Sequence, residues 1–182
     1  MAGGGCQLPQ AHPATAAPKA EQIRANCYGL LHDLLKQQED VDKLLWIKLE
    51  TKEIKPLIKA IASASRMGVK RLEQLAADDR SINLDLLSLP PGEVATRNAI
   101  ASTKTKELLT PFSAHFELDL LLTQAEALSY AWHLSKVAAA NESERERAHY
   151  LAGLSEEMKE LHQQTLSLMR SRLASSPRKG AS

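Results

Sequence analysis

The sequence predicts an all-α protein, an up-down antiparallel bundle of four long helices plus a short extra helix, and three observations carry that prediction. Leu, Ala, Lys and Glu dominate while aromatic residues make up only 4% of the chain, a composition that suits helices and starves a β-sandwich of its usual core. Apolar residues recur with helical spacing from about Ala20 to Leu173 and never give way to strand alternation. Breaks are few and sharp, above all Pro90-Pro91-Gly92, so helices are long and most connections short. The expected organisation is a disordered Ala/Pro-rich tail over 1–19, a bundle over 20–173 and a second disordered tail over 174–182. At 182 residues, 43% of them hydrophobic, the chain suits one domain with a sizeable core.

The first stripe is Ile23, Cys27, Leu30, Leu31, Leu34 and Leu35, fading at Gln37-Gln38. Asp40 is placed to cap a second helix, whose face is Leu44, Ile47, Thr51, Ile54, Ile58, Ile61, Ser65, Val69, Leu72 and Leu75. No Gly or Pro separates these two stripes, so they read equally as two helices or one bent rod. Pro56 lies inside the second stripe's span and is expected to kink it. The outward face is basic (Lys43, Lys48, Lys52, Lys55, Lys59, Arg66, Lys70) but interleaved with Glu50 and Glu53, as on a solvated, salt-bridged surface. A third helix is expected over Glu93–Leu109, with a thin stripe of Val94, Arg97, Ile100, Ala101 and Leu108. In the last, Ser143 followed by Glu146 fits a capping box. Its stripe of Leu151, Leu154, Met158, Leu161, Thr165 and Leu168 keeps coiled-coil-like heptad spacing.

The stretch His115–Val137, introduced by Thr110-Pro111 as N-cap and first helical residue, organises the rest. At about 100° per residue, Phe116, Leu120, Thr123, Ala127, Ala131, Leu134 and Ala138 share one arc. Leu118, Leu121, Ala125, Leu128 and Trp132 form a second, nearly opposite stripe. Glu117, Gln124 and Ser135 fill one flank; Asp119, Glu126, Tyr130 and His133 fill the other. A helix with two apolar faces packs against two layers. The second stripe therefore meets either the N-terminal helix or another copy of the chain, which makes Leu118, Leu121, Leu128 and Trp132 candidate residues of a homodimer or protein-partner interface.

A net charge of +1 gives no field to draw nucleic acid or an acidic membrane, and no apolar run approaches the ~18 residues of a bilayer span. Cys6 and Cys27 are too few for a disulfide framework or a zinc site. Cys27 falls in a helical stripe and reads as a small buried hydrophobe. Cys6 ends a run of small residues ahead of an Ala/Pro-rich tail, which resembles a mature bacterial lipoprotein. That resemblance implies lipidation at Cys6, a start upstream of Met1, and a periplasmic or cell-envelope location rather than a cytoplasmic one.

One Glu-x-x-His is present, Glu146-Arg147-Ala148-His149, in the first turn of the last helix; a di-iron carboxylate centre needs two. Glu126, Tyr130 and His133, at i, i+4 and i+7, fall within an arc of about 60°. They form the candidate metal site, for iron or another divalent metal, if a second helix adds a ligand such as Glu50, Glu53 or Glu157. The competing reading is a hydrogen-bonded seam in which Tyr and His bury their rings and keep a polar end wet. No phosphate loop, nucleophile elbow or haem-attachment motif occurs.

The arrangement as a whole (long helix, Pro90-Pro91-Gly92, a helix opening on Phe116-Glu117, then Gln124 and a final helix) resembles a bacterial ferritin-like four-helix-bundle domain family of unknown function. The resemblance covers roughly Val41 to Leu173. It implies the bundle, often in an envelope protein, and no shared site, because Leu128 stands where that family carries a His. The function expected is a non-catalytic binding or structural module without a cofactor. A metal-binding ferritin-like protein or oxidase built on Glu126 and His133 is the alternative.

Overall fold

The computed structural model describes residues 19–45, 52–84, 89–109 and 116–175. Cys6, Glu50, Thr51, Thr110, Pro111 and His115 lie outside the described residues. The chain is all-helical, and no strand occurs among the described residues. Five helices follow in order: α1 Lys19–Gln38, α2 Ile54–Asp78, α3 Pro91–Leu109, α4 Phe116–Asn141 and α5 Arg145–Ser175, with a 3-10 turn at Val41–Leu44 after α1. None of them is long and apolar enough to cross a membrane.

α1 and the second stripe are separate elements. Asp40 opens the 3-10 turn, its carbonyl accepting from the Lys43 amide at 2.9 Å, and α2 begins only at Ile54, after Glu53. This corrects the expected kink. Pro56 lies in the first turn of α2, where its missing N–H has no intrahelical acceptor to lose. The stripe itself is as expected, with Ile54, Ile58, Ile61, Ser65, Val69, Leu72 and Leu75 all buried. Gly68 sets the spacing to α1: a Cβ there would lie 2.7 Å from Cδ1 of Leu35, itself 1% exposed.

α4 does not have two separate faces. Its buried residues run from Phe116, Leu120, Leu134 and Ala138 on one edge to Leu121, Ala125 and Leu128 on the other, an arc of roughly 180°. Gln124 and Ser135, read from sequence as a polar flank, sit in the middle of that arc at 1% and 0% exposure. Ser135 is satisfied by donating to the Ala131 carbonyl at 2.8 Å. Leu121 and Leu128 are consumed inside the bundle, while Leu118 and Trp132 are half-buried at its edge. The stripe is thus covered within one chain, by α1 and α5. Leu121→Asp is accordingly expected to abolish the cooperative helical CD transition rather than to release a folded monomer.

α5 is capped one residue later than expected. The Glu144 carboxylate, not Ser143, accepts from the amides of Glu146 (2.9 Å) and Arg147 (2.7 Å), placing negative charge against the free N–H groups of the first turn. Beside it lies a polar hub. Glu142, whose side chain has no exposed surface, accepts from the Ser143 and Glu144 amides at 2.9 and 3.0 Å. It accepts as well from the Tyr28 hydroxyl at 2.8 Å, Arg147 at 3.0 Å and Arg24 at 3.3 Å. Arg147 also donates to Asp79 at 2.9 Å. One carboxylate thereby joins the start of α1, the end of α2, the end of α4 and the start of α5. At the other end, Arg172 near the end of α5 pairs with Glu53 before α2, and Arg66 of α2 with Asp42 of the 3-10 turn.

Burial pushes the Glu142 carboxyl up, but the bonds from Arg147, the Glu144 amide and Tyr28 outweigh it and bring the group to about 2. An ordinary glutamate titrates near 4.5, so the stabilisation is complete above that pH and is lost as pH falls toward 2. Asp79 and Glu144 are lowered as well and act in the same sense. Urea unfolding should show stability falling steadily from pH 5 to pH 3. In Glu142→Gln that slope flattens, and stability at pH 7 drops by roughly 3 kcal/mol because Arg147 loses its buried counter-charge.

Candidate functional site

α3 is the helix that the core does not claim. Leu108 is its one buried side chain among the described residues, and Ile100 is 53% exposed. It lies along α4, held there mainly by two polar links. The Arg97 guanidinium donates to the Tyr130 hydroxyl, stands 4.8 Å over the Tyr130 ring and pairs with Glu93 of its own helix at 3.0 Å. One heptad on, Lys104 pairs with Glu126. Seven residues keep one face of α3 and four keep one face of α4, so both links join the same two faces.

Beneath α3, bounded by α1, the 3-10 turn and α4, lies a cleft of about 630 Å³, within the range of small-molecule sites. Leu30, Leu34, Val41, Val94, Leu108 and Ala127 supply its apolar lining. Its polar lining includes Tyr130, Arg97, Lys104, Glu126 and Gln124. The Oε1 of Gln124 is buried and receives no hydrogen bond. An acceptor desolvated without a partner costs about 1–3 kcal/mol, and Leu in its place would fill the same arc without that penalty.

The row Glu126–Tyr130–His133 is divided between two neighbours. Glu126 and Tyr130 turn to α3, whereas the His133 ring bonds through Nδ1 to the Ser129 carbonyl at 2.7 Å. All three residues of the row nevertheless line one shallow depression together with His162 of α5. Trp132 lies 4.4 Å from the His133 ring and 6.1 Å from that of His162, and burial, then the nearby His133, lowers the His162 pKa. Glu53 is engaged by Arg172. Among the described residues no three His, Cys, Asp or Glu side chains converge to hold a metal, so the donors described do not fit a di-iron set. The Glu-x-x-His pair, Glu146 and His149, is exposed on the first turn of α5. Cys27 is buried, its thiol pKa raised by that burial.

Arg97, Lys104 and Gln124 are the residues of this site that sequence reasoning did not select as functional. The heptad spacing of the two cations on an otherwise thin stripe was one available signal. The other was the polar flank of Glu117, Gln124 and Ser135 on a helix already apolar on either side of it. No protein-family model, curated protein or solved structure matches the chain.

Because α3 rests on polar links, Tyr130→Phe should loosen it without unfolding the bundle. Amide exchange over 91–109 is expected to quicken several-fold while α4 and α5 keep their protection, with thermal stability changed by less than about 1 kcal/mol.

Proposed function

We propose that this chain is a non-catalytic binding module, a ferritin-like bundle in which α3 roofs a cleft for a small, largely apolar ligand. The observation that carries this reading is the cleft itself, walled largely by apolar side chains of α1, the 3-10 turn, α3 and α4. Support for the ferritin-like arrangement comes from the order of contacts. His32 meets Glu73 and Asp42 meets Arg66, so α1 and α2 run in opposite senses. Arg147 with Asp79 and Arg172 with Glu53 do the same for α2 and α5. α3 then carries the chain back along the bundle from the end of α2 to the start of α4, the single long crossover of that architecture.

A binding role is favoured over acid–base catalysis by the state of the charged groups at the cleft. Glu126 is paired with Lys104 and Arg97 with Glu93, and both pairs serve to hold α3 over the cleft. The neutral fluorophore N-phenylnaphthylamine should bind the native chain saturably, one molecule per chain, with enhanced emission. Ala127→Trp, which fills the cleft from α4, should abolish that enhancement at unchanged helix content. Emission that rises without saturating, or survives in Ala127→Trp, would count against the proposal.

A further inference from the structure

We infer that the outward face of α2 docks on an anionic lipid surface, independently of what the cleft holds. Between Ile54 and Leu72 this helix carries Lys55, Lys59, Arg66, Lys70 and Arg71 and no carboxylate. At about 100° per residue the first four fall within an arc of about 60°, clear of the buried stripe, and they extend over roughly 22 Å. Lys59, Arg66 and Lys70 are exposed and Lys55 is half-buried. The carboxylates nearest the row are already taken. Glu53 is paired with Arg172 and Glu73 with His32, and on the α1 side Glu39, Asp40 and Asp42 are paired with Lys36, Lys43 and Arg66. Lys55, Lys59 and Lys70 enter no ion pair or hydrogen bond with the described residues, so they remain as a local excess of positive charge.

The net charge of +1 conceals this excess because charge is separated across the bundle. α2 and α4 each pack on α1 and α5 and not appreciably on each other, so they stand diagonally. α4 carries Glu117, Asp119 and Glu126 against Lys136. Helix axes lie about 8–10 Å apart, so the diagonal exceeds the screening length of about 8 Å at physiological salt. A surface approaching α2 meets the lysines rather than the net charge. The face favours lipid over other polyanions. α2 has no aromatic residue on which a base could stack. Its guanidiniums are occupied, Arg66 by Asp42 and Arg71 over the Tyr150 ring at 5.8 Å, which leaves none to grip a phosphate or a base edge bidentately. Lysines are point charges that suit a fluid array of head groups. Along the centre of the face run Pro56, Ala60, Ser63 and Met67, all exposed. Three of these are short, and Met67, at 59% exposure, is an apolar side chain that the head-group layer would cover.

The test is co-sedimentation of the full, unacylated chain with vesicles of phosphatidylcholine alone and of phosphatidylcholine mixed with phosphatidylglycerol, at neutral pH and about 0.1 M salt. Binding is expected to the mixed vesicles only, and it should be lost when the salt is raised to about 0.5 M. A lysine near an anionic surface strengthens binding about fivefold. Lys59→Glu with Lys70→Glu should therefore weaken binding at least about twentyfold at unchanged helical circular dichroism. Lys136→Glu with Arg145→Glu, an equal change of net charge at exposed positions of α4 and α5, should alter it by less than about threefold. No binding to the mixed vesicles overturns the proposal, and a DNA duplex that then binds through the same two lysines reassigns the face to nucleic acid. An equal loss in both double variants overturns it as well, since net charge and not this face would then be responsible.

Discussion

The bundle hangs on one carboxylate. Glu142 lies in the tight connection between α4 and α5 and gathers bonds from two arginines, a tyrosine and two backbone amides. An ion desolvated to this degree is tolerable only when its lone pairs are filled. Filling them draws α1 and, through Arg147 and Asp79, the end of α2 to a common point. The apolar stripes supply the larger share of the folding energy, but they are nearly uniform rows of Leu, Ile and Ala that could slide by a turn. The hub has directional bonds and fixes the register in which those rows meet.

A second constraint follows from the breadth of the buried arc on α4. A helix touched by α1, α5 and α3 has few directions left for water, so even its polar residues must be accommodated inside. Ser135 solves this by bonding back to its own helix. Gln124 does not, and the difference is one of reach. A short hydroxyl returns to the carbonyl four residues before it, while the longer Gln124 side chain carries its oxygen past that carbonyl and leaves it buried without a donor. The same position of α4 also lines the cleft and so joins the core to the candidate site.

The all-helical class, the stripes on α2 and α5 and the burial of Cys27 were legible in the sequence, because they rest on periodicity and composition, which are local. Boundaries were less so. Asp40 and Ser143 are good caps in the abstract, yet α2 starts after Glu53 and α5 after Glu144. The length of Glu144's side chain was enough to reach two amides, that of Glu146, which a capping box would have left to Ser143, and that of Arg147. The two-faced reading of α4 failed for a geometric reason: its two stripes are the edges of one arc, and periodicity alone does not say which gap between them faces inward. Of the row Glu126, Tyr130 and His133, sequence gave the shared flank. It could not give the cations opposite, since Arg97 and Lys104 reach that flank only through the path of the whole chain. The candidate cleft was not legible at all, being a space between four elements rather than a property of any one.

The hub also bears on the order in which the molecule can be made. Tyr28 and Arg24 are separated from Glu142 by 114 and 118 residues, among the longest separations of the described hydrogen bonds. Such contacts form late, because their closure entropy must be met before they contribute anything. On a ribosome, α1 emerges first and waits for most of the chain to follow before its anchoring carboxylate exists. Until α4 follows, α2 is the helix on which its apolar stripe of Leu31 and Leu35 can pack. The first of the described helices to be synthesised is thus held to the hub only after the connection beyond α4 has followed.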